Sequence, residues 1–158
     1  MLVLEIGCGV GRVMRPLASI FGGVHGVDVS EEMARRAETF LSGLSNVSVF
    51  VNNGADLSVV GENVYDFVFS FLVFQHISSK AIISSYVREV ARVIRPGGLF
   101  KFQVQGATHT TPEPLDTWVG VPYSVDEAKE LARSNGFECR HHHGEGTQYF
   151  WLWFFRTE

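Results

Sequence analysis

Glycine at every second position, directly after an apolar strand, narrows the folds open to this chain more than any other feature. The stretch reads Leu2-Val3-Leu4-Glu5-Ile6-Gly7-Cys8-Gly9-Val10-Gly11, an apolar run carrying one acid and then spaced glycines. Glycine reaches backbone conformations with positive φ and lets the backbone approach a ligand closely. A second apolar run, Val24-His25-Gly26-Val27-Asp28, ends in an acid, where a carboxylate can grip a ribose diol. Together the turn and the acid define a crevice suited to an adenosine-containing cofactor. The competing reading is a tight strand-to-helix turn that holds no ligand.

The rest of the chain alternates strand-like apolar runs with amphipathic helix-like runs, the pattern of an α/β domain with a largely parallel sheet. At 158 residues, 46% hydrophobic and 19% charged, the chain is sized for one domain, 1–158, with a buried core. Strands are expected over Leu2–Ile6, Val24–Asp28, Val47–Val51, Tyr65–Phe71, Leu99–Val104, Phe137–Arg140 and Gln148–Arg156. A first helix is expected from Gly11 with Val13, Leu17 and Ile20 or Phe21 inward; Pro16 is early enough to be tolerated and Gly22-Gly23 stops it. Ser30 caps a second helix, with Glu31 and Glu32 in its first turn and Met33, Ala37, Phe40 and Leu41 inward. A third helix spans Ser79–Ile94 on the stripe Ile83, Tyr86, Val87, Val90 and Ile94, and Arg95-Pro96-Gly97-Gly98 turns the chain into the next strand. Residues 106–123 read as a proline-bearing loop. The capping box Ser124-Val125-Asp126-Glu127 then opens a fourth helix, which ends at Asn135-Gly136. The short link His142-His143-Gly144-Glu145-Gly146 between the last two strands permits only an antiparallel hairpin. On the last strand Tyr149, Trp151, Trp153 and Phe155 share one face, and Phe150, Leu152 and Phe154 the other, as on a strand buried on both sides.

Charge and cysteine usage exclude several classes. A net charge of −4 argues against a phosphate-backbone binder, and Arg88, Arg92 and Arg95 have the spacing of a solvated helix face. Cys8 and Cys139 form no metal or disulfide pattern, which makes a reducing, cytoplasmic location the default. Neither Phe67–Phe74 nor Tyr149–Phe155 is long enough to span a bilayer, and residues 1–11 lack the basic start of a signal peptide. No membrane or nucleic-acid partner is expected.

Four ordered stretches resemble the class I S-adenosylmethionine-dependent methyltransferases. Val3-Leu4-Glu5-Ile6-Gly7-Cys8-Gly9-Val10-Gly11 is similar to their first motif and Gly26-Val27-Asp28-Val29-Ser30-Glu31-Glu32-Met33 to their second. Asp66-Phe67-Val68-Phe69-Ser70 resembles their fourth strand, and Ala91-Arg92-Val93-Ile94-Arg95-Pro96-Gly97-Gly98 the turn before strand five. The resemblance covers essentially the whole chain. It implies a Rossmann-like three-layer sandwich around a seven-stranded sheet of order 3-2-1-4-5-7-6, with strand seven antiparallel, and S-adenosylmethionine as cofactor. By position, the loop of Glu5, Gly7, Cys8, Gly9 and Gly11 would hold the methionine part through its backbone. Asp28 would accept both ribose hydroxyls, and Val29 and Met33 would flank the adenine. Gly54 and Ala55 would offer backbone groups to the adenine edge. Asn53 stands where the family commonly has an aspartate, and it can still accept from the adenine amino group. Ser70 and Phe71 would face the sulfonium and the incoming nucleophile.

A nicotinamide dinucleotide is the rival cofactor, and neither Tyr86 nor Tyr123 has the lysine four residues on that short-chain dehydrogenase chemistry needs. Ser70-Phe71-Leu72-Val73 differs from the Asp/Asn-Pro-Pro-Tyr/Phe motif of amino-group DNA methylases. No cysteine follows a proline, as in cytosine C5 enzymes, and no aspartate follows strand four, where catechol-type enzymes hold Mg²⁺. A small-molecule O-, N- or C-acceptor remains, with no assigned catalytic residue and no metal. His76 could serve as a general base or simply fill the turn before the third helix, and His109 reads as a loop residue. In His141-His142-His143 adjacent residues point to opposite faces of a strand, so at most His141 and His143 share one and no third ligand is evident. Cys8 reads as a small residue in a crowded loop. The family carries helices ahead of strand one that cover the cofactor, and here Met1 alone stands there. The expectation is an open site, completed by a second copy in a homodimer or by a segment lost from a truncated reading frame. The alternative function is a non-catalytic or incomplete S-adenosylmethionine-binding module.

Overall fold

A computed structural model describes residues 1–107 and 120–158. Its strands are β1 (Leu2–Ile6), β2 (Gly23–Asp28), β3 (Val47–Val51), β4 (Tyr65–Phe69), β5 (Ile94–Val104), β6 (Phe137–His143) and β7 (Phe150–Arg156). They form one seven-stranded sheet in the order β3-β2-β1-β4-β5-β7-β6. The first five run parallel, and β7 is antiparallel to both β5 and β6. The expected α/β, Rossmann-like architecture is therefore the observed one.

Helices cover the sheet on two faces. α1 (Met14–Leu17) and α2 (Glu31–Leu41) lie over β2 and β3, while α3 (Lys80–Val93) and α4 (Val125–Ser134) lie over β5 and β6. Strand alternation sorts the core between them. Leu4, Ile6, Val68, Phe100, Phe102 and Phe154 pack with Ile83, Val87, Val90 and Leu131 in the larger core, and Val24 packs with Met14, Ala37 and Leu41 in the smaller. Phe74 centres the larger one, edge-on to Tyr86 and Phe100 at ring distances of 5.5 and 5.9 Å.

Several local expectations need correction. Only Met14–Leu17 is α-helical in the first crossover: Pro16 has to sit in the first turn and Gly22 ends the segment, so little length is left. Met14 becomes the buried residue there, and Ile20 is 71% exposed. In α2 the inward residues are Ala34, Ala37 and Leu41. Phe40 turns outward, where the Arg15 guanidinium lies 4.7 Å from its ring centre. β4 stops at Phe69, two residues short of the expected end, and Leu72 beyond it takes a positive φ of 61°. Arg95–Gly98 falls inside β5 as an irregularity, since Tyr65 pairs with Ile94 while Phe67 pairs with Leu99. β6 runs on to His143, which puts all three histidines on the strand. In β7, Phe150, Leu152 and Phe154 are fully buried, but Trp151, Trp153 and Phe155 are only half-buried, because α1 and α2 lie over the other half of that sheet face. The expected loop extends over 108–119, including His109, which lie outside the described residues.

Candidate active site

β1 and β4 are parallel neighbours whose onward connections diverge, β1 leading to β2 on one side and β4 to β5 on the other. Such a switch point opens a crevice beyond the carboxyl ends of the strands. A cleft of about 280 Å³ there is lined by Ile6, Gly7, Asp28, Val29, Asn52, Leu72, Val73, His76 and Tyr86. A larger depression of about 400 Å³ lies between α2 and β3, away from the glycine loop, and gathers no constellation of charged groups.

The loop after β1 folds back over the end of β2. The amides of Gly7 and Cys8 both donate to the Val27 carbonyl, at 2.8 and 3.0 Å. Gly7 sits at φ +75° with Val73 packed where a Cβ would stand, so no side chain fits. Gly9, at φ +52°, has open space on its Cβ side, and its N–H donates to Asp28 Oδ2 at 2.8 Å. Asp28 Oδ1 accepts the Ser30 N–H at 3.0 Å. The carboxylate is thus braced by two backbone donors, and each oxygen keeps a lone pair for a further hydroxyl.

Glu5 lies beneath this loop, 3% exposed. Its Oε2 is buried without a hydrogen-bond partner among the described residues. Burial first, and the Asp28 charge second, push its carboxyl up to about 8. A buried, unpaired carboxyl oxygen beside a second carboxylate is complementary to a cation. S-adenosylmethionine carries an ammonium, a sulfonium and a ribose diol, and this acid pair with an open glycine loop fits that set.

The other expected residues fall at different depths. Cys8 packs against Gly26, and burial together with Glu5 and Asp28 pushes its thiol up to about 12, so it is a space-filling residue. Gly11 faces α2, where a Cβ would come within 2.7 Å of Leu41 Cδ1; it serves packing and not the cleft. Val29, 61% exposed, stands at the rim. Met33 is half-buried in the first turn of α2, whose cap is the Ser30 side chain. Asn53 is spent inside its own turn, its Oδ1 accepting from Ala55 and Asp56 amides and its Nδ2 donating to Asp56. Ala55 is engaged at both ends, since its carbonyl also accepts from Ser85. Gly54, at φ +78°, lies against Val29. Ser70 is buried and donates to the Ile6 carbonyl at 2.8 Å, tying β4 to β1. Phe71 turns away to stack on Trp151, ring centres 5.8 Å apart.

Asn52, Leu72, Val73 and Tyr86 line the cleft, whereas Asn53, Ser70 and Phe71 are not among its lining residues. Asn52 is 7% exposed; its Nδ2 donates to the Tyr86 hydroxyl at 3.0 Å and its N–H to the Asp28 carbonyl at 3.0 Å. Counting by twos from the inward Phe50 reaches Asn52, so strand parity held the information that loop position did not. His141, His142 and His143 are exposed, and no metal-holding group of His, Cys, Asp or Glu occurs among the described residues.

Comparison with known proteins agrees with this geometry. Residues 3–98 match the family model described as a methyltransferase domain. The chain is 29% identical over 117 residues to the 2-methyl-6-phytyl-1,4-hydroquinone methyltransferase of Synechocystis, covering 73% of this chain and 36% of that protein. It is 32% identical over 98 residues to a ubiquinone biosynthesis O-methyltransferase of Sinorhizobium fredii, covering 61% of this chain and 38% of that protein. The chain therefore spans well under half the length of these curated relatives. Among solved structures, an S-adenosylmethionine-dependent methyltransferase from Aquifex aeolicus superposes with a TM-score of 0.74 at 23% identity, over 98% of this chain and 81% of that one. The Haemonchus contortus phosphoethanolamine N-methyltransferase 2, solved with S-adenosylhomocysteine, does so at 0.73 and 27%, over 87% of this chain and 33% of that one. With the sheet order, the glycine loop and the acid at the end of β2 already in place, the chain belongs to the class I S-adenosylmethionine-dependent methyltransferase family.

Proposed function

We propose that this domain binds S-adenosylmethionine in the cleft between β1 and β4 and transfers its methyl group to a small organic acceptor. One observation carries the reading: the Asp28 carboxylate, braced by the Gly9 and Ser30 amides, beside the buried Glu5, whose Oε2 has no hydrogen-bond partner among the described residues. The cofactor supplies an electrophilic methyl carbon on a sulfonium. The chain's own part is to bind, orient and exclude water. Asp28 grips the diol, the open face of Gly9 admits the cofactor's bulk, and Leu72, Val73 and Tyr86 form an apolar wall. Two relatives are named for a hydroquinone and for ubiquinone, which makes phenolic compounds the first acceptors to assay.

Calorimetric titration with S-adenosylhomocysteine tests the site. Asp28→Ala removes charge-assisted hydrogen bonds, and the expected loss of affinity is about tenfold or more. Unchanged affinity refutes the assignment of Asp28. A second reading, cofactor binding without turnover by the domain alone, is favoured by the exposure of Val29, which leaves one wall of the cleft open. Binding without transfer to any phenolic acceptor supports it. A second copy closing that wall would double the mass seen by sedimentation, and a monomer mass removes that part of the proposal. No helix among the described residues is long and apolar enough to cross a membrane.

A further inference from the structure

A chain of side-chain amides runs from the backbone after β4 to the cleft wall. The Leu72 N–H donates to Gln103 Oε1 at 3.4 Å, Gln103 Nε2 donates to Gln75 Oε1, and Gln75 Nε2 lies 3.2 Å from His76 Nε2. Gln103 is fully buried and Gln75 is 6% exposed, so neither amide can turn to water for a different partner. The direction of the chain is settled at its first link. A backbone N–H is only a donor, so Gln103 must present oxygen to Leu72 and nitrogen to Gln75. Gln75 must then present oxygen to Gln103 and nitrogen to His76. A donor facing Nε2 requires a lone pair there, and in a neutral imidazole the proton then sits on Nδ1.

Both ends of this chain line the cleft. Leu72 and His76 share it with Gly7 and Asp28. Leu72 holds a positive φ of 61°, a conformation that costs a non-glycine residue energy and persists only when neighbours hold it. The Gln103 contact to its N–H is one such restraint.

We propose that Gln103 and Gln75 are positioning residues of the cofactor cleft: they hold Leu72 in its left-handed conformation and set His76 as the neutral, Nδ1-protonated tautomer, with Nε2 kept as a hydrogen-bond acceptor. Nε2 of His76 is then not the atom that takes a proton from a methyl acceptor. The cleft's role rests on the methyltransferase reading, whereas the tautomer does not.

Nitrogen-15 spectroscopy of the histidine rings tests this at about pH 8, above the ordinary histidine range. Assigned by comparison with His76→Gln, the His76 ring in the full chain shows a protonated Nδ1 and an unprotonated Nε2; the opposite pattern overturns the proposal. In Gln75→Glu the carboxylate accepts where the amide donated, so Nε2 gains a proton, and an unprotonated Nε2 in that variant also overturns it. In Gln103→Leu, with the fold verified by circular dichroism, the Nδ1-protonated pattern is lost and affinity for S-adenosylhomocysteine falls about fivefold. An unchanged tautomer, or an affinity within twofold of the parent, reduces the amides to ordinary core bonds. If the parent protein does not bind S-adenosylhomocysteine at all, the proposed function fails while the tautomer result stands by itself.

Discussion

Glu5 couples the stability of this protein to pH in a direction opposite to that of most carboxylates. Its carboxyl is pushed from the ordinary 4.5 up to about 8, chiefly by burial. Between those values the folded state keeps a proton that the unfolded state has lost, so stability falls as pH rises through the window and levels off above it. The full effect is on the order of a few kcal/mol. His25, whose pKa burial lowers beside Tyr65, contributes with the opposite sign below its ordinary 6.5. Comparing the parent with Glu5→Gln therefore isolates the acid. Urea midpoints measured without cofactor should fall from pH 5 to pH 8 in the parent and fall less, or rise, in the variant. Equal slopes would show that Glu5 is ionised throughout. A bound cation near Glu5 reverses the preference, and the same buried carboxyl then favours its charged form. Glu5 was legible in the sequence as a member of a motif. Its burial beside Asp28 was not, because that proximity depends on β1 and β2 lying side by side, which only the fold establishes.

The starts of α2, α3 and α4 were legible, that of α1 was not, and helix faces were less so. Ser30, Ser79 and Ser124 each cap the helix that the sequence assigned or implied, because a cap is a local contact between a hydroxyl and an amide three residues on. For α4 the box is complete: Ser124 Oγ accepts from the Glu127 amide at 3.2 Å, and Glu127 Oε2 accepts from the Ser124 amide at 3.0 Å. Ser124→Ala should cost about 1 kcal/mol in urea unfolding. Glu127 also pairs with Lys80 of α3, so Glu127→Gln tests a second contribution through the α3–α4 contact. The α2 face was harder to read, because periodicity ranks residues by hydrophobicity while packing ranks them by fit. Ala37 sits against Gly11, where the loop comes too close for a larger side chain, and Phe40 finds a cation at the surface. The same limit explains Asn53. Its turn position was evident, but its amide is consumed by the turn itself, and the cleft takes Asn52 from the strand end.

The sheet buries its two faces unequally. Phe100, Phe102, Phe137 and Phe154 form a sealed aromatic cluster under α3 and α4, with Phe100 and Phe102 stacked 4.1 Å apart. On the opposite face Phe67, Leu99, Trp151, Trp153 and Phe155 remain half-buried, and Lys101 lies about 5 Å above both indoles. The alternation of β7 is legible in the sequence, but alternation alone does not say which face a helix reaches. The asymmetry has a measurable consequence on adjacent residues of one strand. Phe154→Ala removes a fully buried ring and should cost about 3–5 kcal/mol. Trp153→Ala deletes a larger side chain that already meets solvent, and it should cost roughly half as much, since only the area withdrawn from water is lost. Urea unfolding of the two variants at low protein concentration gives the comparison directly. If Trp153→Ala costs as much as Phe154→Ala, the half-buried face is covered in solution by protein that the isolated fold does not place there. A cost that grows with protein concentration identifies that cover as a second copy.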